Sequence, residues 1–253
     1  MKNPEFAFVV TYGRSGSTLV QGLLNSLPRT LMRGENGLFV VHFFRAWERA
    51  RTFRRKHVQH GSANETSAFY GLREVKPAKI VALTRQLLVS QMLGDVGRDE
   101  LDVIGFKEVA WHLIETGEFE GFFTFFEQVF PGVKYVLNQR DHAAVTGSGF
   151  WQQRDPEEAL AEIHRVEEIQ EFLRTTRPEK VVELRYEILT GEDQEASGAQ
   201  LRELSEFIIG RCDDAILETL RETMKTGHGP NPFVKSRGRR QAVRKGRRRR
   251  ASE

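Results

Sequence analysis

Hydrophobic positions along the chain switch between two periods. Phe6-Ala7-Phe8-Val9-Val10 is an unbroken apolar run, so residues 5–11 are predicted to form a buried strand. Beyond it Leu19, Val20, Leu23, Leu24 and Leu27 recur at helical spacing from Ser17 onward, and Pro28 ends that helix. Further strands are predicted at 30–33, 102–108, 133–138 and 181–184. Phe39, Val40, Phe43, Phe44 and Trp47 mark one side of a long helix running into the basic segment 49–56. Other helices are predicted at 77–93, 119–130, 157–175, 199–209 and 213–225, the one at 119–130 buried because its phenylalanines cover more than one side.

Strands separated by helices of this length predict an α/β protein, with a central parallel sheet of about five strands flanked by helices in three layers. One domain, residues 1–234, is expected, followed by a basic tail at 235–253. Residues 57–76 are polar and aperiodic, a long loop of the kind that is functional or mobile. With 151–156 it is expected to choose the substrate.

Charge sharpens this division. The 253 residues carry a formal +3, but ten of the 38 Lys and Arg and one of the 35 Asp and Glu lie in 235–253. The body is therefore acidic, with 28 basic and 34 acidic residues. Nothing apolar recurs in the tail, so it is expected to be disordered, and its charge admits contact with nucleic acid or an anionic membrane. Cys212 is the single cysteine, which excludes an intramolecular disulfide. No apolar run approaches the roughly 18 residues of a membrane span, and a cytoplasmic location is the expectation.

Between the first strand and helix lies Thr11-Tyr12-Gly13-Arg14-Ser15-Gly16-Ser17-Thr18. A glycine-bearing, hydroxyl-rich turn there is a phosphate cradle, built from backbone N–H groups and a helix N-terminus. A nucleotide triphosphatase would place Lys after Gly16 to reach the terminal phosphates, but Ser17 stands there and the positive charge has moved to Arg14. Such a loop suits a less charged transferred group that needs no metal. No metal-ligand spacing is present in the sequence.

With its Arg-Ser-Gly-Ser-Thr core, this loop resembles the 5′-phosphosulfate loop of sulfotransferases that use 3′-phosphoadenosine 5′-phosphosulfate (PAPS), in the form common to the carbohydrate and bacterial branches. Arg140-Asp141 after the strand at 133–138, with Ser148 eight residues beyond Arg140, resembles that family's 3′-phosphate site. Gly105-Phe106-Lys107-Glu108 and Leu184-Arg185-Tyr186-Glu187-Ile188-Leu189 are similar to two further family stretches, and the likeness covers residues 5–190. It implies a P-loop-like fold and a PAPS-dependent transferase with adenosine 3′,5′-bisphosphate as product. Gly13, Arg14, Ser15, Gly16, Ser17, Thr18, Arg140 and Ser148 would then bind the nucleotide. Arg244-Lys245-Gly246 only faintly echoes a cofactor loop of the cytosolic branch.

An acceptor hydroxyl needs a base. Glu35, in Arg33-Gly34-Glu35-Asn36, resembles the base-bearing segment of bacterial carbohydrate members, and Glu108 is the rival, with Lys107 touching the sulfuryl group. A carbohydrate or glycolipid acceptor is expected. His42, His112 and His142 show no orienting partner in the sequence, and Trp111, Phe150 and Trp151 are expected to pack in the core. Two other readings remain at this point, a P-loop kinase or nucleotide hydrolase and a nucleotide- or nucleic-acid-binding module acting through the tail.

Overall fold

Five strands, β1 (Glu5–Val10), β2 (Thr30–Arg33), β3 (Val103–Glu108), β4 (Lys134–Gln139) and β5 (Val181–Arg185), pair in the order β2-β3-β1-β4-β5, all parallel. The computed structural model describes residues 4–226. The helices are α1 (Ser17–Ser26), α2 (Val40–His57), α3 (Pro77–Leu93), α4 (Phe119–Val129), α5 (His142–Thr146), α6 (Pro156–Thr176), α7 (Tyr186–Thr190), α8 (Gln194–Ile209) and α9 (Asp214–Thr226). The expected domain end at 234 and the tail lie outside the described residues.

Period-two alternation in β1 builds both cores. Phe6, Phe8 and Val10 face a core with α2, α3, α4 and α6, whereas Ala7 and Val9 face one with α1, α8 and α9. Phe122, Phe123, Phe125 and Phe126 of α4 are all fully buried, and Phe126 meets Phe8 at 4.8 Å between ring centroids. The sheet is thus covered on both faces, which is why its strands read as apolar runs.

β1 is central, with β3 on one side and β4 on the other, so the chain's direction of winding reverses there. Loops leaving the carboxyl ends of β1, β3 and β4 consequently splay apart and leave a crevice, the usual ligand site of such sheets.

Two expectations are revised. α8 starts at Gln194 rather than 199, because Asp193 caps it by accepting from the N–H groups of Glu195 and Ala196. The helices α5 and α7 were not foreseen, being too short to show a period. The 57–76 segment is the expected long loop, a run of turns after His57 that carries one 3₁₀ turn at Leu72–Glu74.

Candidate active site

The loop after β1 owes its shape to two residues with positive φ, Arg14 (64°) and Gly16 (85°). Left-handed backbone at a non-glycine residue is strained, and at Arg14 it helps curl successive N–H groups into a concave nest. Gly16 is required twice over, because a Cβ there would also lie 2.1 Å from the Tyr186 ring. The loop is braced from below: Thr11 Oγ1 donates to the Asn138 carbonyl (2.8 Å) and lies 2.7 Å from Ser15 Oγ, while Asn138 Nδ2 donates to the Ser15 carbonyl (2.8 Å). Trp151 Nε1 donates to the Gly13 carbonyl (3.0 Å). Ser15 is therefore buried and its hydroxyl engaged, whereas Thr18 is exposed at the first turn of α1, where N–H groups lack intrahelical partners.

β4 delivers the second cation to the same place. Tyr12 Oη donates to the Arg140 carbonyl (2.8 Å) and accepts from its N–H (3.0 Å), so the two strand ends are clamped together. Burial pushes the Tyr12 phenol up to about 12, outweighing the backbone hydrogen bond from Arg140 that lowers it. Arg140 Nη1 donates to the Arg14 carbonyl (3.0 Å), and the guanidinium lies 4.3 Å from the Tyr186 ring centroid. Its Nε is buried and without a hydrogen-bond partner. Asp141 caps α5, accepting from Ala144 N–H (2.9 Å), and so aims the chain towards Ser148. Ser148 Oγ accepts from Arg14 Nε at 3.4 Å and donates to the Val145 carbonyl. Arg14, Arg140 and Ser148, distant in sequence, are brought into one chain of contacts.

Across the crevice, Lys107, next to last in β3, lies beside Val9 in register and forms an ion pair with Glu35. Lys107 is buried and Glu35 half exposed. Glu108 is placed otherwise. It is 1% exposed, and its carboxylate accepts four backbone N–H groups, from Asn36 and Leu38 on one oxygen and from Val109 and Ala110 on the other. Those bonds hold the 36–38 turn, and with it Glu35, against β3. Beside Glu35 lies a cleft of about 300 Å³, with Arg33 and Asn36 at its polar part and Leu88, Met92 and Phe106 at its apolar part.

Some contributors escaped the sequence. Thr11, Tyr12 and Tyr186 lie in stretches the sequence singles out, but their bracing of the loop, like that of Asn138, rests on long-range contacts that no local pattern shows. Trp111 and Trp151 both pack in the core as expected, Trp111 against Phe123, and Trp151 braces the loop as well; the Phe150 side chain lies outside the described residues. His142 does have a partner, Glu167, at 2.8 Å. A cleft of about 510 Å³ at this end of the sheet is lined by Arg140, His142, Glu167, Arg185 and Glu187. A similar volume between α7, α8 and α9 contains none of the residues of the crevice. Among the described residues, no helix is long and apolar enough to cross a membrane.

No curated protein sequence matches the chain significantly. Solved structures similar to it include two sulfotransferase domains. The sulfotransferase domain of the olefin synthase of Synechococcus PCC 7002 has a TM-score of 0.51 at 19% identity, covering 92% of this chain and 84% of that one. The sulfotransferase domain of the curacin biosynthetic pathway has a TM-score of 0.44 at 18% identity, covering 87% and 78%. The first likeness shows the fold. The model of the sulfotransferase family matches residues 5–207, a span that takes in the loop, the Glu35 turn and the Arg140 strand end, and the chain belongs to that family.

Proposed function

We propose that this chain binds PAPS across the carboxyl edge of the sheet and transfers its sulfuryl group to a hydroxyl of a carbohydrate or glycolipid acceptor. The observation that carries this reading is Arg140. A guanidinium whose Nε is buried without a partner, held beside a second arginine and an anion-binding loop, fits a ligand with two separate anionic groups. PAPS is such a ligand, and supplies the activated sulfuryl group.

The chain's own residues do the rest by positioning and charge. Loop amides from Ser15 to Thr18, the Ser17 and Thr18 hydroxyls and Arg14 would hold the 5′ end and neutralise the charge that grows on the leaving oxygen. Arg140 and Ser148 would hold the 3′-phosphate. Glu35 takes the proton from the attacking hydroxyl at a carboxylate oxygen, and Lys107 orients that carboxylate and faces the transferring group. Glu108 is the turn's anchor, since both its oxygens are occupied by N–H donors. The cleft beside Glu35, with polar groups along an apolar wall, suits a sugar, and the buried, unpartnered Asn36 Oδ1 offers an acceptor to one of its hydroxyls.

Incubation with ³⁵S-labelled PAPS and a panel of sugars, glycolipids and phenols tests the acceptor. Label is expected on sugar hydroxyls. Label on phenols alone would overturn the carbohydrate reading while leaving the transferase intact.

A further inference from the structure

α6 lies against the carboxyl end of the sheet through Gln170, whose Nε2 donates to the Val10 carbonyl (2.8 Å) and whose Oε1 accepts from Gln139 Nε2 (2.8 Å). Three residues earlier on that helix stands Glu167, and three earlier again His164. This i, i+3 spacing keeps both on the side of α6 that meets the end of β4. There α5 brings in His142, whose Nε2 is 2.8 Å from Glu167 Oε1 and whose ring centroid is 5.5 Å from that of His164. One ligand atom from each of the three lies within 4.8 Å of the others.

We propose that His142, His164 and Glu167 form a binding site for a divalent transition ion of the Zn²⁺ type. Two imidazoles and one carboxylate are the donor set that Zn²⁺ favours when one position stays open. Ligand atoms about 2.0–2.1 Å from a tetrahedral ion lie about 3.3 Å from one another, so small side-chain rotations close the present arrangement. The ion takes the place of the direct contact between His142 and Glu167. His164 and Glu167 sit on a helix fixed to the sheet by Gln170, and only the His142 side comes from a short element. The two ligands His142 and Glu167 line the cleft that Arg140 also lines, so the open position faces that cleft. The sequence concealed this site because its members are separated by 22 residues and meet only through the docking of α5 on α6. Binding here ties the Arg140 to Ser148 segment to α6.

The test is Zn²⁺ calorimetry on the full chain, with Co²⁺ as an optical probe. One Zn²⁺ per chain is expected, together with the visible bands of four-coordinate Co²⁺. Affinity should fall at least tenfold in His164→Ala and in Glu167→Gln. His164 is exposed, so its loss leaves folding intact, which circular dichroism checks. The double variant His57→Ala with His60→Ala, which removes another close pair of histidines among the described residues, should bind as the parent does. Unchanged affinity in His164→Ala, or loss of binding only in the His57/His60 variant, would overturn the site.

Discussion

Glu35 and Glu108 are joined by a short turn yet differ in what their oxygens are free to do. Glu35 is half exposed and paired with Lys107; Glu108 is buried under four N–H donors. Glu35→Gln is therefore expected to leave binding of adenosine 3′,5′-bisphosphate within about twofold and to lower kcat by about 10²–10⁴. Glu108→Gln instead replaces one acceptor oxygen by a donor facing N–H groups, costing about 2–4 kcal/mol of stability, which chemical denaturation measures. A folded, stable Glu108→Gln protein without turnover, beside an active Glu35→Gln, would reverse these roles. Tyr12 supplies a pH effect. Its phenol is raised from 10.0 to about 12, so the protonated form stabilises the fold fully below about pH 10 and that contribution fades as pH climbs through 12. Two pH units correspond to on the order of 2–3 kcal/mol. Tyr12→Phe should flatten the alkaline decline of stability between those values; an unchanged slope would show that Tyr12 does not carry it. At this scale the sequence revealed the residues that belong to recognisable strand-end motifs, such as Arg14 and Arg140. Burial separates Glu35 from Glu108, and burial is not written locally.

The element on which the site depends is the turn from β1 into α1. Gly16→Ala combines a strained φ of 85° with a Cβ 2.1 Å from the Tyr186 ring, a contact that only movement of Tyr186 relieves. Since Tyr186 also lies on Arg140, bisphosphate affinity should fall at least tenfold, measured by calorimetry, and intact affinity would show the contact to be unimportant. α4 carries no chemistry but closes one core, and Phe126→Ala should cost about 3–5 kcal/mol in chemical denaturation. β1, α3 and α4 were legible because each carries an apolar run or recurrence long enough to mark the element. α5 and α7, with five residues each, are fixed by what precedes them: Asp141 caps one, and the end of β5 hands over directly to the other.

Over the whole molecule, the sequence indicated the layers but left the order of strands open. That order, β2-β3-β1-β4-β5, opens a crevice beside β1 and sets the Lys107 and Arg140 strand ends on opposite sides of one loop. The two cores then hold the edge rigid from both faces. What the sequence displayed as separate motifs is thereby brought to one edge of the sheet, where the proposed function reads them as a two-anion site with Glu35 as base at one end and Arg140 at the other. Calorimetric titration of adenosine 3′,5′-bisphosphate, against ATP with Mg²⁺, tests this most directly. The site predicts micromolar or tighter binding of the bisphosphate, far weaker binding of ATP, and at least a hundredfold loss in Arg140→Ala, about 2.7 kcal/mol. Equal or tighter binding of Mg²⁺–ATP, or an Arg140→Ala variant that binds the bisphosphate as the parent does, would contradict it.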